Sequence, residues 1–301
     1  MLKPRLVRFV SNFHVVAKEF GHSGRPLPTW TCSSAGNVNF DQHEPNTICR
    51  DLSDFVPGAF QLLNVLSSDE CEQIVRHVTD MGWDEDAPVS LPHSFRHMEN
   101  VNWVAHETIV DNIWKRANRA LPASASSICP GADAVGLNAR FRCYRYQGGD
   151  YFKPHVDGSW PGSGVSPDRK ELVWDLWPGK RWSQLTFLLL LSDGYEGGRT
   201  IFYPDCSSSI TQNPVFHNKG FKDVVDVKAD TDSLEVCVRT PKGAALCFPH
   251  GGHPLHARHA GELVGNGAKI MIRTELLYNR TDESDKLQND WFRDGSGQTN
   301  K

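Results

Sequence analysis

The part of this chain with the clearest capacity for chemistry is His155-Val156-Asp157, with His259 far downstream and Lys269 ten residues beyond it. In a β-strand the side chains at i and i+2 point to the same face, so His155 and Asp157 can hold one ion together. A distant histidine would complete the set. Two imidazoles and one carboxylate on one face of an octahedral ion leave positions open for a co-substrate and dioxygen, the ligand geometry of a non-haem ferrous centre. The dipeptide spacing alone says little. A chain with 13 histidines contains about one such pair by chance, and His97-Met98-Glu99 is one.

Context separates His155 from that decoy. Tyr146-Gln147-Gly148-Gly149-Asp150-Tyr151-Phe152-Lys153-Pro154 leads straight into the histidine, with aromatic residues that read as strand and a glycine pair that reads as a tight turn. Further along come the apolar run Leu185 to Leu191, then Glu196-Gly197-Gly198-Arg199-Thr200-Ile201-Phe202, then Gly243-Ala244-Ala245-Leu246-Cys247-Phe248, and finally His259-Ala260-Gly261 through Lys269. On these five motifs, in this order and over roughly residues 57 to 280, the sequence resembles the prolyl 4-hydroxylase-like branch of the Fe(II)- and 2-oxoglutarate-dependent dioxygenases.

The resemblance implies a metal site of His155, Asp157 and His259, with no catalytic side chain beyond the metal centre. His250, His253, His256 and His259 crowd one loop. His259 is chosen because His259-Ala260-Gly261, Val264, Gly267 and Lys269 match the family's spacing, with His256 as the alternative. Lys269 would pair with the far carboxylate of 2-oxoglutarate, and a buried cation is costly without such an anion. Lys269, Met271, Arg273 and Glu275 share one face, which could also simply face solvent; Arg273 is either a second carboxylate contact or structural. Tyr146 would hydrogen-bond the co-substrate, and Tyr144, on the same face, competes for that role. Thr200 reads as strand packing. Trp160, Trp174, Trp177 and Trp182, with Arg169-Lys170 and Lys180-Arg181, either grip a substrate or anchor a surface loop.

The activity so implied is hydroxylation of a C–H bond, of a prolyl or other peptidyl side chain, with decarboxylation of 2-oxoglutarate to succinate and CO2. It uses Fe(II), O2 and ascorbate as reductant. Two alternatives stand beside it: hydroxylation of a free amino acid or small metabolite on the same scaffold, and a non-catalytic jelly-roll binding module. A nucleic-acid demethylase is the weakest reading, because a net charge of −4 gives no electrostatic footprint for phosphates.

At 301 residues and 39% hydrophobic, the chain can bury a sizeable core. Its 8 cysteines are scattered with no C-x-x-C pair, and Cys143, Cys237 and Cys247 fall in apolar strands. They read as reduced, buried thiols of an intracellular protein, cytoplasmic or mitochondrial. No run approaches the roughly 18 apolar residues of a membrane helix. Leu2, Leu6, Phe9, Phe13, Val16 and Phe20 recur at helical spacing among Lys3, Arg5, Arg8 and Lys18, which predicts a basic amphipathic helix, either docking or a mitochondrial presequence.

The elements that must position this chemistry divide in two. Residues 1–54 read as an N-terminal helix and linker arm, since 21–50 are rich in Pro, Ser, Gly, Asn and Thr; a dioxygenase domain spans 55–301. Within it, helices fall over 67–121. Ser67 and Glu70 form a capping box before Cys71, Ile74, Val75 and Val78, and Gly82 is placed to end that helix. Ile109, Val110, Ile113, Trp114, Ala117 and Leu121 repeat the pattern. From Leu137 the period becomes two, with short strands at about 139–146, 151–157, 184–191, 199–203, 234–239, 244–248 and 268–278. Helices followed by short strands argue an α+β chain with a sandwich or barrel core, which the resemblance sharpens to a double-stranded β-helix, a jelly roll over 137–280. Insertions at 158–181 and 204–232 interrupt it.

Overall fold

The computed structural model describes residues 12–34, 38–42, 44–87, 92–129, 132–204, 223–230 and 233–281. The chain begins with strands β1 (Phe13–Phe20), β2 (Pro26–Cys32), β3 (Ile48–Asp51) and β4 (Phe60–Leu63), followed by helix α1 (Ser68–Met81). Strands β5 (Arg96–His97) and β6 (Glu99–Val104), helices α2 (Glu107–Arg119) and α3 (Ala123–Ser127), and strand β7 (Ala134–Leu137) come next. Then the core opens: β8 (Arg140–Tyr146), β9 (Tyr151–His155), the short hairpin β10 (Gly164–Val165) and β11 (Leu172–Val173), β12 (Arg181–Leu190) and β13 (Thr200–Phe202). It closes with β14 (Val225–Asp230), β15 (Ser233–Val238), β16 (Ala245–Pro249), β17 (His259–Gly261) and β18 (Lys269–Asn279).

Two sheets face each other. The larger runs β1-β2-β6-β8-β18-β12-β16-β4-β3, with β7 also on β18, and the smaller runs β14-β15-β13-β17-β9-β5. Taken in chain order, β8, β12, β16 and β18 lie in the large sheet while β9, β13, β15 and β17 lie in the small one. The chain thus winds between two four-stranded antiparallel layers. That winding is the double-stranded β-helix, closed against the edge problem as a jelly roll.

The side-chain alternation of a strand explains how one sheet serves two cores. On β8, Phe141 and Cys143 face the helices while Tyr144 and Tyr146 face the barrel interior; on β12, Leu185, Phe187 and Leu189 face the helices while Leu188 and Leu190 point inward. The helices present Cys71, Ile74 and Val78 of α1 and Ile109, Ile113 and Ala117 of α2 to that outer core. The capping box at the start of α1 is complete, and Gly82 at its end has φ 94°, a conformation glycine tolerates. Its acid does more than cap. Glu70 is fully buried and accepts from the two terminal Arg116 nitrogens, at 2.7 and 2.8 Å, locking α1 to α2, and it also accepts from the Asp41 amide at 2.8 Å.

The N-terminal expectation fails for a physical reason. Residues 13–20 are a strand, paired with β2, which itself lies parallel to β6 in the large sheet. A register shift between Val15 and Ala17 places Phe13 and Val16 both inward, so a bulged strand buries residues three apart and imitates a helix in sequence. Leu2, Leu6 and Phe9 lie outside the described residues. The supposed linker likewise supplies β2 and β3 to the large sheet, so the sheet does not begin at Phe55. Within the second insertion, 225–230 forms β14 against β15, while 205–222 and 231–232 lie outside the described residues. The first insertion carries β10 and β11, and its tryptophans are anchors: Arg142 stacks on Trp160, Arg140 on Trp174 and Arg181 on Trp177, at 4.8, 4.6 and 4.1 Å. Arg169 is tied to the Cys32 carbonyl and Glu107.

Cys143, Cys237 and Cys247 are buried free thiols, as expected; Cys206 lies outside the described residues. No helix among the described residues is long and apolar enough to cross a membrane. Because Glu70 neutralises a buried guanidinium, Glu70→Ala should cost about 3–5 kcal/mol in urea unfolding, whereas Ser67→Ala should cost about 1 kcal/mol. Equal costs would mean that Glu70 acts only as a cap.

Candidate metal centre

Strand pairing assembles the site. His155 ends β9 and His259 opens β17, and the antiparallel register sets the two directly opposite each other. Their rings lie 4.3 Å apart, and Asp157, two residues past His155, closes the group. His155 Nε2 is 3.6 Å from Asp157 Oδ1 and His259 Nε2 is 3.7 Å from Asp157 Oδ2; one ligand atom from each of the three lies within 4.8 Å of the others.

The hydrogen bonds prepare these atoms as ligands. His155 Nδ1 meets the Lys153 carbonyl at 2.8 Å and His259 Nδ1 meets the Ala257 carbonyl at 3.0 Å. A carbonyl only accepts, so each Nδ1 carries a proton and Nε2 is the ring nitrogen that can offer a lone pair to an ion. Burial, helped by the neighbouring His155, pushes the His259 pKa down to about 4, so the ring is neutral at pH 7. Burial alone would raise the Asp157 carboxyl, but the imidazoles of His259 and His155 outweigh it and hold the group well below the usual carboxylate range. Asp157 Oδ2 accepts from Thr186 Oγ1 at 2.8 Å and from Arg273 Nε at 3.2 Å. Two imidazoles presenting their Nε2 atoms to one ionised, oriented carboxylate fit a divalent cation.

The remaining histidines separate by their partners. His250 is fully buried between Ser183 and Thr186, His253 Nε2 meets the Ile128 carbonyl at 2.9 Å, and His256 Nδ1 meets the His253 carbonyl at 3.0 Å. Among the described residues, the only metal-type cluster contains His259 and not His256. His97, the decoy, pairs instead with Asp150.

Lys269 starts β18 opposite Tyr146 on β8. It is 6% exposed, so the face it shares with Met271, Arg273 and Glu275 is interior and not a solvent face. Its Nζ donates to the Gly198 carbonyl at 2.6 Å and sits 5.8 Å from the Tyr146 ring centre. Burial, with Arg239 nearby, lowers its pKa to about 8. The Gly197-Gly198 pair makes this possible: Gly198 has φ 66°, and a Cβ there would lie 3.0 Å from the Tyr195 ring and 3.3 Å from Lys269 Cδ. Lys269, Tyr144, Tyr146, Thr200 and Arg273 line one cavity with the three metal-type residues. Burial drives the Tyr146 phenol upward, so it stays protonated as a donor. Arg273 reaches Asp157 and Glu275. Sequence reasoning missed Thr186, the one polar residue in the apolar run Leu185 to Leu191, and that isolation was the available signal. It also missed Phe152, which stacks on His155 at 3.5 Å.

Among solved structures, the chain is similar to the viral collagen prolyl hydroxylase of Paramecium Bursaria Chlorella virus-1 in its 2OG complex. The identity is 18% and the TM-score 0.41, covering 76% of this chain and 99% of that one. It is similar to a Pseudomonas putida prolyl-4-hydroxylase at 12% identity and TM-score 0.43, covering 74% of this chain and 93% of that one. It is similar to HygX from Streptomyces hygroscopicus, solved with nickel, 2-oxoglutarate and hygromycin B, at 13% identity and TM-score 0.37, covering 75% and 84%. No family model and no curated protein matches the chain. At such identities the fold stands on its strand order and the site on its own geometry.

The geometry predicts that Co(II) binding, followed by calorimetry, is lost in His259→Ala and kept in His256→Ala. Retention in His259→Ala would remove that residue from the ligand set.

Proposed function

We propose that this chain is a Fe(II)- and 2-oxoglutarate-dependent dioxygenase that hydroxylates a C–H bond of a prolyl or other peptidyl side chain. The observation that carries the reading is the pairing, in one cavity, of the three metal-type ligands with a buried ammonium. Among the described residues Lys269 meets a backbone carbonyl and a ring face; Glu262, on the same cavity wall, attracts the ammonium but is itself paired with Arg199 at 2.6 Å. A buried cation so placed calls for an anion from outside the chain. The prolyl or peptidyl substrate class rests on the sequence resemblance.

In this reading His155, Asp157 and His259 hold the iron. When bound, the iron supplies the oxidising power of O2, coupled to decarboxylation of 2-oxoglutarate to succinate and CO2, with ascorbate keeping it ferrous. The chain's own work is binding, orientation and exclusion of water. Lys269 takes the far carboxylate of the co-substrate by a charge-assisted hydrogen bond. Tyr146 or Tyr144 donates a phenolic hydrogen to the same molecule, and Leu188 and Met271 keep the cavity wall dry. Asp157 keeps its orientation through Thr186 and Arg273.

The test is succinate release from 2-oxoglutarate by purified protein with Fe(II) and ascorbate, without added prime substrate. Iron-dependent succinate, lost in His155→Ala and Asp157→Ala, supports the reading; no succinate and no 2-oxoglutarate binding would favour the non-catalytic module. Lys269→Ala should raise the 2-oxoglutarate requirement about 10- to 100-fold, the worth of a hydrogen bond to a charged group, and leave the iron requirement little changed. Equal effects on both would make Lys269 structural. Lys269 in the free protein loses its charge as pH rises through about 8. Affinity for 2-oxoglutarate should therefore fall above that pH in the wild type and stay flat in Lys269→Arg, as read by calorimetry.

A further inference from the structure

From Asp157 a line of hydrogen bonds runs into the fold through side chains that the ligand chemistry does not use. Thr186, His250 and Ser183 are each fully buried. Thr186 Oγ1 donates to Asp157 Oδ2 at 2.8 Å; Thr186 Oγ1 and His250 Nδ1 are 2.8 Å apart; His250 Nε2 and Ser183 Oγ are 2.9 Å apart; and Ser183 Oγ accepts from the Trp160 amide at 2.8 Å. The direction of the line is forced. An ionised carboxylate only accepts, so the one Thr186 hydrogen goes to Asp157, and Thr186 must accept from His250 Nδ1–H. The other ring nitrogen then accepts the Ser183 hydroxyl. Every polar atom in the line is satisfied by one tautomer of His250.

The same residues are clamped by the backbone. The Ser183 amide donates to the Trp160 carbonyl at 2.9 Å, the His250 amide to Gln184 at 3.1 Å, and the Gly251 amide to the Asp157 carbonyl at 2.8 Å. Gly251 has φ 61°, and a Cβ there would fall 1.8 Å from Ser159 Oγ, so glycine lets this segment pass close to Ser159. Position and tautomer of His250 are therefore both set before any ion arrives.

We propose that His250 is a positioning residue of the metal centre. Through Thr186 it fixes Asp157 so that Oδ1, which accepts neither the Thr186 nor the Arg273 bond, meets the ion, and through Ser183 it ties that carboxylate to Trp160 at the start of the 158–181 insertion. The proposal rests on the metal-binding reading above. It goes beyond that reading by adding a residue in neither the ligand set nor the co-substrate cavity. Groups that orient a metal ligand typically set affinity by about 10- to 100-fold, although they never touch the ion.

The experiment titrates the full-length chain with Co(II) alone, by calorimetry and by the visible absorption of the bound ion, alongside thermal unfolding of the metal-free protein. His250→Phe and Thr186→Val should each weaken Co(II) binding about 10- to 100-fold and alter its visible bands, because the freed carboxylate can turn or bind through both oxygens. Thr186→Ser, which keeps the hydroxyl, should bind as the wild type does. Should His250→Phe fail to fold, the Thr186→Val and Thr186→Ser pair decides. Wild-type affinity and spectrum in a folded His250→Phe, or in Thr186→Val, whatever the unfolding temperature, would overturn the positioning role and leave the metal reading standing. A wild-type chain that binds no Co(II) would overturn the metal reading itself.

Discussion

The site depends on one antiparallel pairing, β9 against β17. No local structure could bring His155 and His259 together; the ladder does so by making them direct neighbours across the strands. The ladder is also irregular there, since His259 pairs with His155 but Gly261 pairs with Phe152, leaving an extra residue on β9. A bulge turns side chains away from strict alternation. It is what lets Phe152 stack on His155, three residues on, and it gives Pro154, which has no N–H to offer, a place in a paired strand.

Around that pairing the barrel interior buries charges whose arginines and acids face one another. Arg142 meets Glu275 at 2.7 Å, Glu275 accepts from Asn138, and Arg273 lies between Glu275 and Asp157. Removing one member would strand another without water, which costs more than the pair contributes when intact. The arginines and acids balance among themselves. Lys269, at the other end of the same strand face, stands outside this alternation, and the electrostatics of the cavity differ there accordingly.

Much of this was legible in the sequence, and the failures have physical causes. Local chemistry was readable: the Ser67–Glu70 box, the period-two runs of β8, β12 and β18, and the His155-to-Asp157 spacing each declare themselves within a few residues. The choice of His259 over His256 was readable from flanking glycines and Lys269, and His259 is the one that lies beside His155 and Asp157. Elements whose burial is set by tertiary context were misread. The bulge in β1 converts a strand pattern into a helical one, and β2 and β3 hide in a stretch whose composition suggests a linker. The Thr186–His250–Ser183 line could not be read, because its members are close only once β12 and β16 pair.

Strand β18 has both faces occupied. Its inward residues Lys269, Met271, Arg273 and Glu275 serve the barrel, its outward residues Ile272 and Leu276 are core under the helices, and from Lys269 to Tyr278 only Ile270 is not buried. The strand therefore has almost no neutral position at which sequence can drift. In the segment feeding it, by contrast, the Leu263 side chain is exposed, although its carbonyl accepts from Gly198 at 3.1 Å and that of Asn266 accepts from Glu196 at 2.9 Å. Divergence in such a fold is pressed out of the centre and into the loops, so two chains could differ at most positions and still share one strand's worth of residues.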